Sequence, residues 1–353
     1  MMTKQGRISE KEALELYVSA GLNDLSKIST QVREQHNGNT VYYNRNFHLE
    51  PSNVCVHRCK FCSYRRDDCS KPGAWSMSIE EVREYCISKY QPGMTEIHIV
   101  GSVDPQRDFS YYCKLVETVR EVLPSEVTIK AFSAVEIDDM AVSSELSVRE
   151  VLSELQSRGV SALPGGGAEI FSEKTRSQIC PDKCSADRWL EIHRTAHSLG
   201  MRTNCTMLFG HLESLEERIE HLSRLRQLQD ETGGFDAFIP LKFRATHNNL
   251  SHIGEASIIE VMKTFAISRL FLDNIKHIKS YWPMLGKELC QVSLLYGADD
   301  IDGTINDSTK IYSLAGAEEK NPGMSAQELV RLAAECGYNA VERDSFYNEL
   351  SKK

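Results

Sequence analysis

Residues 202–241 read RTNCTMLFGHLESLEERIEHLSRLRQLQDETGGFDAFIPL and decide the fold class. Residues 202–208 and 237–241 are short, mostly apolar or β-branched segments, which is typical of buried strands. Between them, Ser214 and Glu217 have the spacing of a capping box, and Gly233-Gly234 is a natural helix end. A strand, a helix and a second strand in this order predict a βαβ unit, in which the two strands are parallel.

The same alternation continues on both sides of this unit. Further strand-like segments lie at 96–100, 127–132 and 160–163. Further capping boxes begin at Ser78, Ser147 and Ser325. About eight βα units favour an α/β fold of the (β/α) TIM-type barrel class. A doubly wound open sheet fits the same alternation, because sequence alone does not show closure, and the strand pattern weakens after Leu270.

The pattern divides the chain into three regions. Residues 1–40 are polar with helical periodicity and predict an N-terminal helical extension. Residues 41–317 predict the barrel, which begins with an extended segment over 41–50. Residues 318–353 predict a C-terminal helical segment packed on the barrel. Neither a repeat nor a low-complexity linker interrupts them, so one catalytic domain is the simplest interpretation.

The composition indicates a globular protein of 353 residues, 41% hydrophobic and 26% charged. Its net charge of −9 argues against nucleic-acid binding, which needs a basic surface. The sequence contains neither a signal peptide's apolar core nor an apolar run of membrane-spanning length. We therefore expect a cytoplasmic protein with no membrane or nucleic-acid partner, whose eleven cysteines are thiols or metal ligands rather than disulfides.

One cysteine run provides the main chemical signal, Asn53-Val-Cys55-Val-His-Arg-Cys59-Lys-Phe-Cys62, with C-x3-C-x2-C spacing. Three thiolates on one loop can hold three corners of a [4Fe–4S] cluster and leave the fourth iron without a protein ligand. The run follows the first predicted strand, where barrel enzymes carry their chemistry. A zinc site completed by His57 or Cys69, or three unrelated buried thiols, are the alternatives.

With Phe61 before the last cysteine, this run resembles the signature of the radical S-adenosylmethionine superfamily. The resemblance implies a (β/α) barrel whose open iron is chelated by the amino and carboxylate groups of S-adenosylmethionine. It implies that one electron from the reduced cluster splits the cofactor into methionine and a 5′-deoxyadenosyl radical. A reductant such as flavodoxin or ferredoxin would supply that electron, and Phe61 would lie near the adenine.

Two glycine segments extend the resemblance. Gly101-Ser102 follows the strand 96–100, where the superfamily has a glycine-rich turn against the methionine amino group. Ser102 departs from the second glycine often found at that place. Gly165-Gly166-Gly167 follows the strand 160–163 and permits close approach of the backbone to a ligand. An ordinary turn and a flexible loop are the respective alternatives.

Two polar residues are further candidates for binding the cofactor. Glu169, just beyond the three glycines, could accept hydrogen bonds from ribose hydroxyls or from the substrate. Asn204 lies on the strand 202–208, and alternation places it on the same side as Arg202 and Thr206. Sequence alone leaves open which side of that strand faces inward.

The resemblance covers about residues 48–317 and narrows to one subgroup, which holds the radical enzymes of the futalosine route to menaquinone and the deazaflavin synthases. Segments 163–171, 206–211 and 229–240 indicate this subgroup. Within it, 272–282 (LDNIKHIKSYW) and 297–304 (GADDIDGT) are most similar to the aminofutalosine synthases. The dehypoxanthinyl futalosine cyclases and the deazaflavin enzymes typically lack the Asp302-Gly303 pair.

The resemblance implies a reaction between S-adenosylmethionine and 3-[(1-carboxyvinyl)oxy]benzoate. The adenosyl radical would add to the methylene carbon of the enol ether, the aryl ring would migrate from oxygen to carbon, and the former carboxylate would be lost. The product would be 6-amino-6-deoxyfutalosine. A substrate with two carboxylates needs cationic or amide donors, and we predict His98 and Arg244 as the catalytic group that supplies them.

Other residues in the same region have weaker signals. Further candidate donors are Lys242, Lys276, His277 and Lys279, each with a surface or core role as its alternative. Tyr281 and Trp282 fit stacking on the benzoate ring or simple core packing. The acidic group Asp299, Asp300 and Asp302 lacks the remaining ligand pattern of a calcium loop, so we expect capping or hydrogen-bonding roles near the cofactor. We interpret Cys180 and Cys184 as ordinary thiols.

Overall fold

The computed structural model describes residues 7–305, Leu314 and 323–350. The strands are β1 Thr40–Asn44, β2 Asn46–Leu49, β3 Glu96–Ile99, β4 Thr128–Ala131, β5 Val160–Leu163, β6 Arg202–Phe209, β7 Phe235–Lys242, β8 His277–Ile278, β9 Asp300–Gly303 and β10 Asn339–Glu342. The helices are α1 Glu10–Ser19, α2 Leu22–Asn37, α3 Ile79–Lys89, α4 Phe109–Val122, α5 Ala134–Ser144, α6 Val148–Ser157, α7 Glu173–Ile179, α8 Ala186–Ser198, α9 Leu215–Thr232, α10 Ile258–Phe271, α11 Trp282–Leu285, α12 Lys287–Ser293 and α13 Ala326–Glu335.

Seven parallel strands, β2 to β8 in sequence order, curl into a partial barrel. Helices between the strands cover its outer face. Strand alternation explains the two faces: Ile97 and Ile99 are fully buried in the hydrophobic core, while Glu96 and His98 belong to the polar interior. The predicted (β/α) barrel is confirmed, and the strands predicted at 96–100, 127–132, 160–163, 202–208 and 237–241 all form.

A second, three-stranded parallel sheet has the order β10-β1-β9. The extended segment predicted at 41–50 is thus two strands that belong to different sheets. Lys279 and Asp300 form a parallel bridge from the end of β8 to β9. On the other side of β9, the Asn46 amide donates to Thr304 Oγ1 at 3.1 Å, and the Thr304 hydroxyl donates to the Asn46 carbonyl at 2.9 Å. The strand β9 and Thr304 therefore connect the two edges of the seven-stranded sheet.

The helix ends follow the predicted local chemistry. All four predicted capping boxes form, at Ser78, Ser147, Ser214 and Ser325. Helix α9 ends as predicted, because Gly233 adopts a left-handed φ of 61° that suits glycine. Two boxes that we did not predict begin at Ser9 and Ser133. Over the part of the chain that the structure describes, we find no helix with the length and apolarity needed to cross a bilayer.

The amino end of the barrel is filled by buried ion pairs and by the C-terminal segment. The pairs are Lys130–Glu96 at 2.5 Å, Lys279–Asp302 at 2.8 Å, Arg343–Asp300 at 2.5 Å and Arg269–Asp299. Ser345 donates to Glu96 Oε2 at 2.6 Å, and Tyr347 stacks on His277 with ring centroids 3.6 Å apart. Each of these charges has an opposite charge beside it, so this end of the barrel is electrostatically self-contained.

Candidate active site at the carboxyl end of the barrel

The three cysteines of the predicted ligand run line one cavity of about 160 Å³. The segment that contains Cys55 and Cys59 alternates in exposure, so that both cysteines are half-buried while Val56, Arg58 and Lys60 are exposed. The remaining walls come from the loops that follow β3, β4 and β5. The cavity therefore lies at the carboxyl ends of the strands, where barrel enzymes have their active sites.

Main-chain hydrogen bonds fix the loop of residues 55–62, which we call the cysteine loop. Cys55 donates to the Arg66 carbonyl at 3.1 Å, and Val56 donates to Val103 at 3.0 Å. Lys60 donates to the Ile179 carbonyl at 2.8 Å. The loop is thus held against chain segments on both sides, and three thiols on such a fixed loop fit three corners of an iron–sulfur cubane.

Burial disfavours the ionised form of two of these thiols, Cys59 and Cys55. Burial raises the pKa of Cys59 to about 12, and it also raises the pKa of Cys55. Iron and zinc bind thiolate rather than thiol, so metal binding at this loop must release protons. Of the other groups considered as ligands, His57 also lines the cavity, whereas Cys69 is exposed.

The Gly101-Ser102 turn is held by side-chain hydrogen bonds. Ser102 Oγ donates to the carbonyls of Val54 at 2.5 Å and Ser52 at 3.0 Å. The serine that departs from the expected glycine therefore ties this turn to the start of the cysteine loop. The Gly101 amide donates to Glu136 Oε1 at 2.9 Å.

Glu136 is a cavity residue that our sequence analysis missed. It is almost fully buried, closes the capping box of α5 on Ser133, and lines the same cavity. Burial raises the pKa of this carboxyl group, against the hydrogen bonds from Ser133 and Gly101. The signal that identifies it is Ser133 and Glu136 at capping-box spacing directly after the strand 127–132.

The three-glycine segment is packed rather than loose. A Cβ atom at Gly165 would lie 2.7 Å from the Cα of Cys205, so β6 leaves no room for a side chain there. Gly167 has a φ of 84°, which favours glycine. Thr206 Oγ1 donates to the Gly165 carbonyl at 2.6 Å, and Trp189 Nε1 donates to Gly166 at 3.1 Å. Gly166 and Gly167 therefore present fixed backbone to the cavity.

Glu169 lies beyond this segment and forms a 2.6 Å ion pair with Lys183. Lys183, which our sequence analysis also missed, lines the cavity, and its Nζ lies 5.4 Å from the centroid of the Phe61 ring. Asn204 is buried on the inner face of β6, because its neighbour Thr203 bonds His193 of α8 on the outer face. The contact with α8 thus shows which side of β6 faces outward, a question that the sequence alone left open.

The structure places the predicted catalytic pair in two separate groups. His98 stacks on His48 with ring centroids 4.7 Å apart. Burial lowers the pKa of His98 to about 3, and the neighbouring His48 lowers it further, so the imidazole is neutral at pH 7. Arg244 follows β7, and its Nε lies 3.4 Å from Glu255. Lys242 shares that carboxylate at 2.6 Å.

Other side chains that we considered for binding the substrate carboxylates, for stacking on the substrate ring or for hydrogen-bonding near the cofactor have partners within the fold. Four of these residues belong to the buried ion pairs and are not among the residues that line the cavity with the three cysteines: Lys279, Asp299, Asp300 and Asp302. Trp282 is buried and donates to the Gly303 carbonyl at 3.0 Å. Tyr281 is half-buried with its ring parallel to that of His48, at 6.3 Å between centroids.

Comparisons with known proteins agree with this geometry. Residues 49–225 match the family model described as the radical SAM superfamily, and residues 232–352 match the model of the CofH/MqnC C-terminal region. The first match includes the cysteine loop and the strands β3 to β6, and the second includes β7 to β10.

Two relatives and one solved structure illustrate the similarity. The chain is 42% identical to the aminodeoxyfutalosine synthase of Thermus thermophilus, over 98% of this chain and 92% of that protein. It is 35% identical to the cyclic dehypoxanthine futalosine synthase of Streptomyces coelicolor, over 98% and 86% of the two chains. The crystal structure of methylornithine synthase has a TM-score of 0.75 and 18% identity, with 95% and 94% of the two chains covered, which shows that the fold is shared.

Proposed function

The chain belongs to the radical S-adenosylmethionine superfamily, and on that premise we propose that it is an aminodeoxyfutalosine synthase, the aminofutalosine synthase reaction predicted above. Membership of this superfamily implies an enzyme with a [4Fe–4S] cluster and S-adenosylmethionine. The observation that supports the specific activity is the 42% identity to a synthase of that name along nearly the whole chain.

We assign the cluster to Cys55, Cys59 and Cys62, because these thiols share a fixed loop and one cavity. The cluster, when bound, supplies the electron that splits S-adenosylmethionine. The chain's own residues would position that molecule. The candidates are Phe61, Gly101, Ser102, Glu169 and Asn204, to which we add Glu136 and Lys183 because both line the cavity.

The substrate proposed for this reaction, 3-[(1-carboxyvinyl)oxy]benzoate, carries two carboxylates. Arg244 and Lys242 form a cationic group at the carboxyl end of β7 that can bind one of them. His98 supplies a neutral imidazole in the barrel interior, so it can donate or accept one hydrogen bond without adding a charge. Arg244 and Lys242 share the single carboxylate of Glu255, so one positive charge remains for a ligand, whereas the charge of Lys279 is matched one to one by Asp302.

The second candidate activity is that of the related cyclase, supported by the 35% identity to the cyclic dehypoxanthine futalosine synthase. The two reactions differ in the fate of the adenosyl group. The synthase keeps that group in its product, whereas the cyclase would abstract a hydrogen atom and release free 5′-deoxyadenosine.

The deciding experiment follows the adenosyl group. The anaerobically reconstituted protein is incubated with a reductant, 3-[(1-carboxyvinyl)oxy]benzoate and S-adenosylmethionine that is ¹³C-labelled in its ribose. We expect mass spectrometry to find the label in 6-amino-6-deoxyfutalosine, together with one methionine per product. Label found only in free 5′-deoxyadenosine, with the benzoate unchanged, would contradict the synthase assignment.

A further inference from the structure

A buried lysine faces the cysteine cavity with a carboxylate behind it. Lys183 and Glu169 form a 2.6 Å ion pair whose side chains are only 14% and 10% exposed. Lys183 lines the cavity with Cys59 and Phe61, whereas Glu169 is not one of the described residues that line it. The positive end of the pair is therefore the end nearer the thiols.

The fold holds this lysine in place. The turn 179–184 contacts the cysteine loop through two main-chain donors of that loop. Lys60 donates to the Ile179 carbonyl at 2.8 Å, and Arg58 donates to Asp182 Oδ2 at 3.0 Å. The Lys183 Nζ also lies 5.4 Å from the centroid of the Phe61 ring, within the range of a cation–π contact. Because the turn and the loop are bonded together, the cation and the thiols keep a fixed relation.

The charge of Lys183 acts on two of the thiols with which it lines the cavity, Cys59 and Cys55. Among the charges around Cys59, Lys183 has the largest effect on the thiol pKa, which it lowers against the effect of burial, and Glu169 has a smaller effect of opposite sign. Lys183 also lowers the pKa of Cys55. The 2.6 Å ion pair with Glu169 favours the charged form of Lys183 against the effect of burial.

We propose that the Lys183–Glu169 pair sets the reduction potential of the cluster held by Cys55, Cys59 and Cys62. Reduction adds one negative charge to the cluster, and a fixed cation in a low-dielectric site stabilises that charge. Lys183 therefore raises the potential, and Glu169 limits the rise. This inference depends on the cluster of the proposed function and is independent of its substrate.

The balance of the two charges suits the chemistry. A cluster of too low a potential takes no electron from its reductant, and one of too high a potential has too little driving force to reduce a sulfonium. A cation offset by a carboxylate places the potential between these limits. With a neutral residue at position 183, the reduction potential would lose the increase that the cation provides. With Lys183 but without the Glu169 carboxylate, the reduction potential would rise too far.

The test is a redox titration of the reconstituted protein without S-adenosylmethionine, followed by electron paramagnetic resonance. At a fixed applied potential, we expect Lys183→Gln to lower the ratio of reduced to oxidised cluster about tenfold, which for a one-electron couple is a shift of about 59 mV. Glu169→Gln should shift the potential the opposite way. The matched control is Lys174→Gln, an exposed cation on the nearby helix α7, which should change nothing.

Shifts of the same sign in the two variants, or no shift in either, would overturn the inference. The inference would also fail if Lys183→Gln shifted the potential only in the presence of S-adenosylmethionine, because the lysine would then act by binding that molecule. If Lys183→Gln fails to hold four irons, Lys183→Arg must keep the wild-type potential and Glu169→Gln must still raise it. A wild-type protein that binds no cluster would defeat the proposed function itself, whereas a cluster whose potential ignores both variants defeats this inference alone.

Discussion

The two ends of the barrel differ in how their polar groups are satisfied. At the amino end, Lys130, Lys279, Arg269 and Arg343 each meet a carboxylate inside the protein. At the carboxyl end, the fixed loops surround a cavity that is lined by the three thiols, by glycine backbone and by Lys183, whose Nζ is paired with Glu169. The same strands thus support a self-contained electrostatic core at one end and an incomplete site at the other.

This difference indicates what each end is for. Charges that are matched one to one by other charges of the protein leave no net charge for a ligand, and breaking such a buried pair costs stability. Thiols and amides that are fixed without such partners are preorganised for a molecule that completes them. Substitutions at the carboxyl end should therefore reduce cluster binding or activity, and substitutions at the amino end should reduce the free energy of unfolding.

The largest effect expected from this comparison is at the carboxyl end. Cys59→Ala removes one corner of the proposed cluster, so we expect reconstitution to lose the four-iron cluster and all radical activity. The matched control is Cys180→Ala, which removes a buried thiol outside the ligand run and should retain four irons. Iron analysis and the visible absorption spectrum check both variants. Four irons in Cys59→Ala, or their loss in Cys180→Ala, would show that the ligands are assigned wrongly.

The next effect concerns the amino end. Arg343→Met leaves the Asp300 carboxylate buried without its partner, so we expect the free energy of unfolding to fall by about 3–5 kcal/mol. Arg331→Met is the control, because its pair with Glu335 is on the surface and should contribute about 0–1 kcal/mol. Denaturant unfolding measures both variants. Equal unfolding midpoints would contradict the view that the amino end is a stabilising core, as would loss of iron from folded Arg343→Met.

The smallest expected effect is on folding stability, and it concerns the glycine segment 165–167 at the carboxyl end. Gly165→Ala places a Cβ atom 2.7 Å from the Cα of Cys205, so the backbone must shift, at a cost of about 1–3 kcal/mol of folding stability. In Gly166→Ala the new Cβ would lie 3.6 Å from the Cβ of Ser133, an ordinary contact, and stability should change little. Thermal unfolding of the cluster-free proteins compares the two. Similar losses in both variants would mean that the glycine segment is not packed against β6 as described.

Part of the candidate site could be predicted from the sequence because its signals are local. The three cysteines and Phe61 lie within eight residues, and their spacing alone predicts a shared loop. The glycine segments follow predicted strands, which places them at the carboxyl end. The partners of these groups could not be predicted, because Lys183 belongs to a turn that no periodic pattern marks. Glu136 had a local signal, the capping box after β4, that we did not connect with the site.

The sequence by itself determined the strands β3 to β7, their parallel direction, four of the capping boxes and the cysteine run. Hydrophobic period, capping chemistry and ligand spacing all act between residues close in the chain. The tertiary structure alone decided that 41–50 enters two sheets, that Asp300 pairs with Arg343, and that Ser345 reaches Glu96, a residue 249 positions earlier. Buried charges choose partners by distance in the fold, which nothing in the local sequence encodes. For the same reason, the cation facing the thiols became visible only in the folded chain.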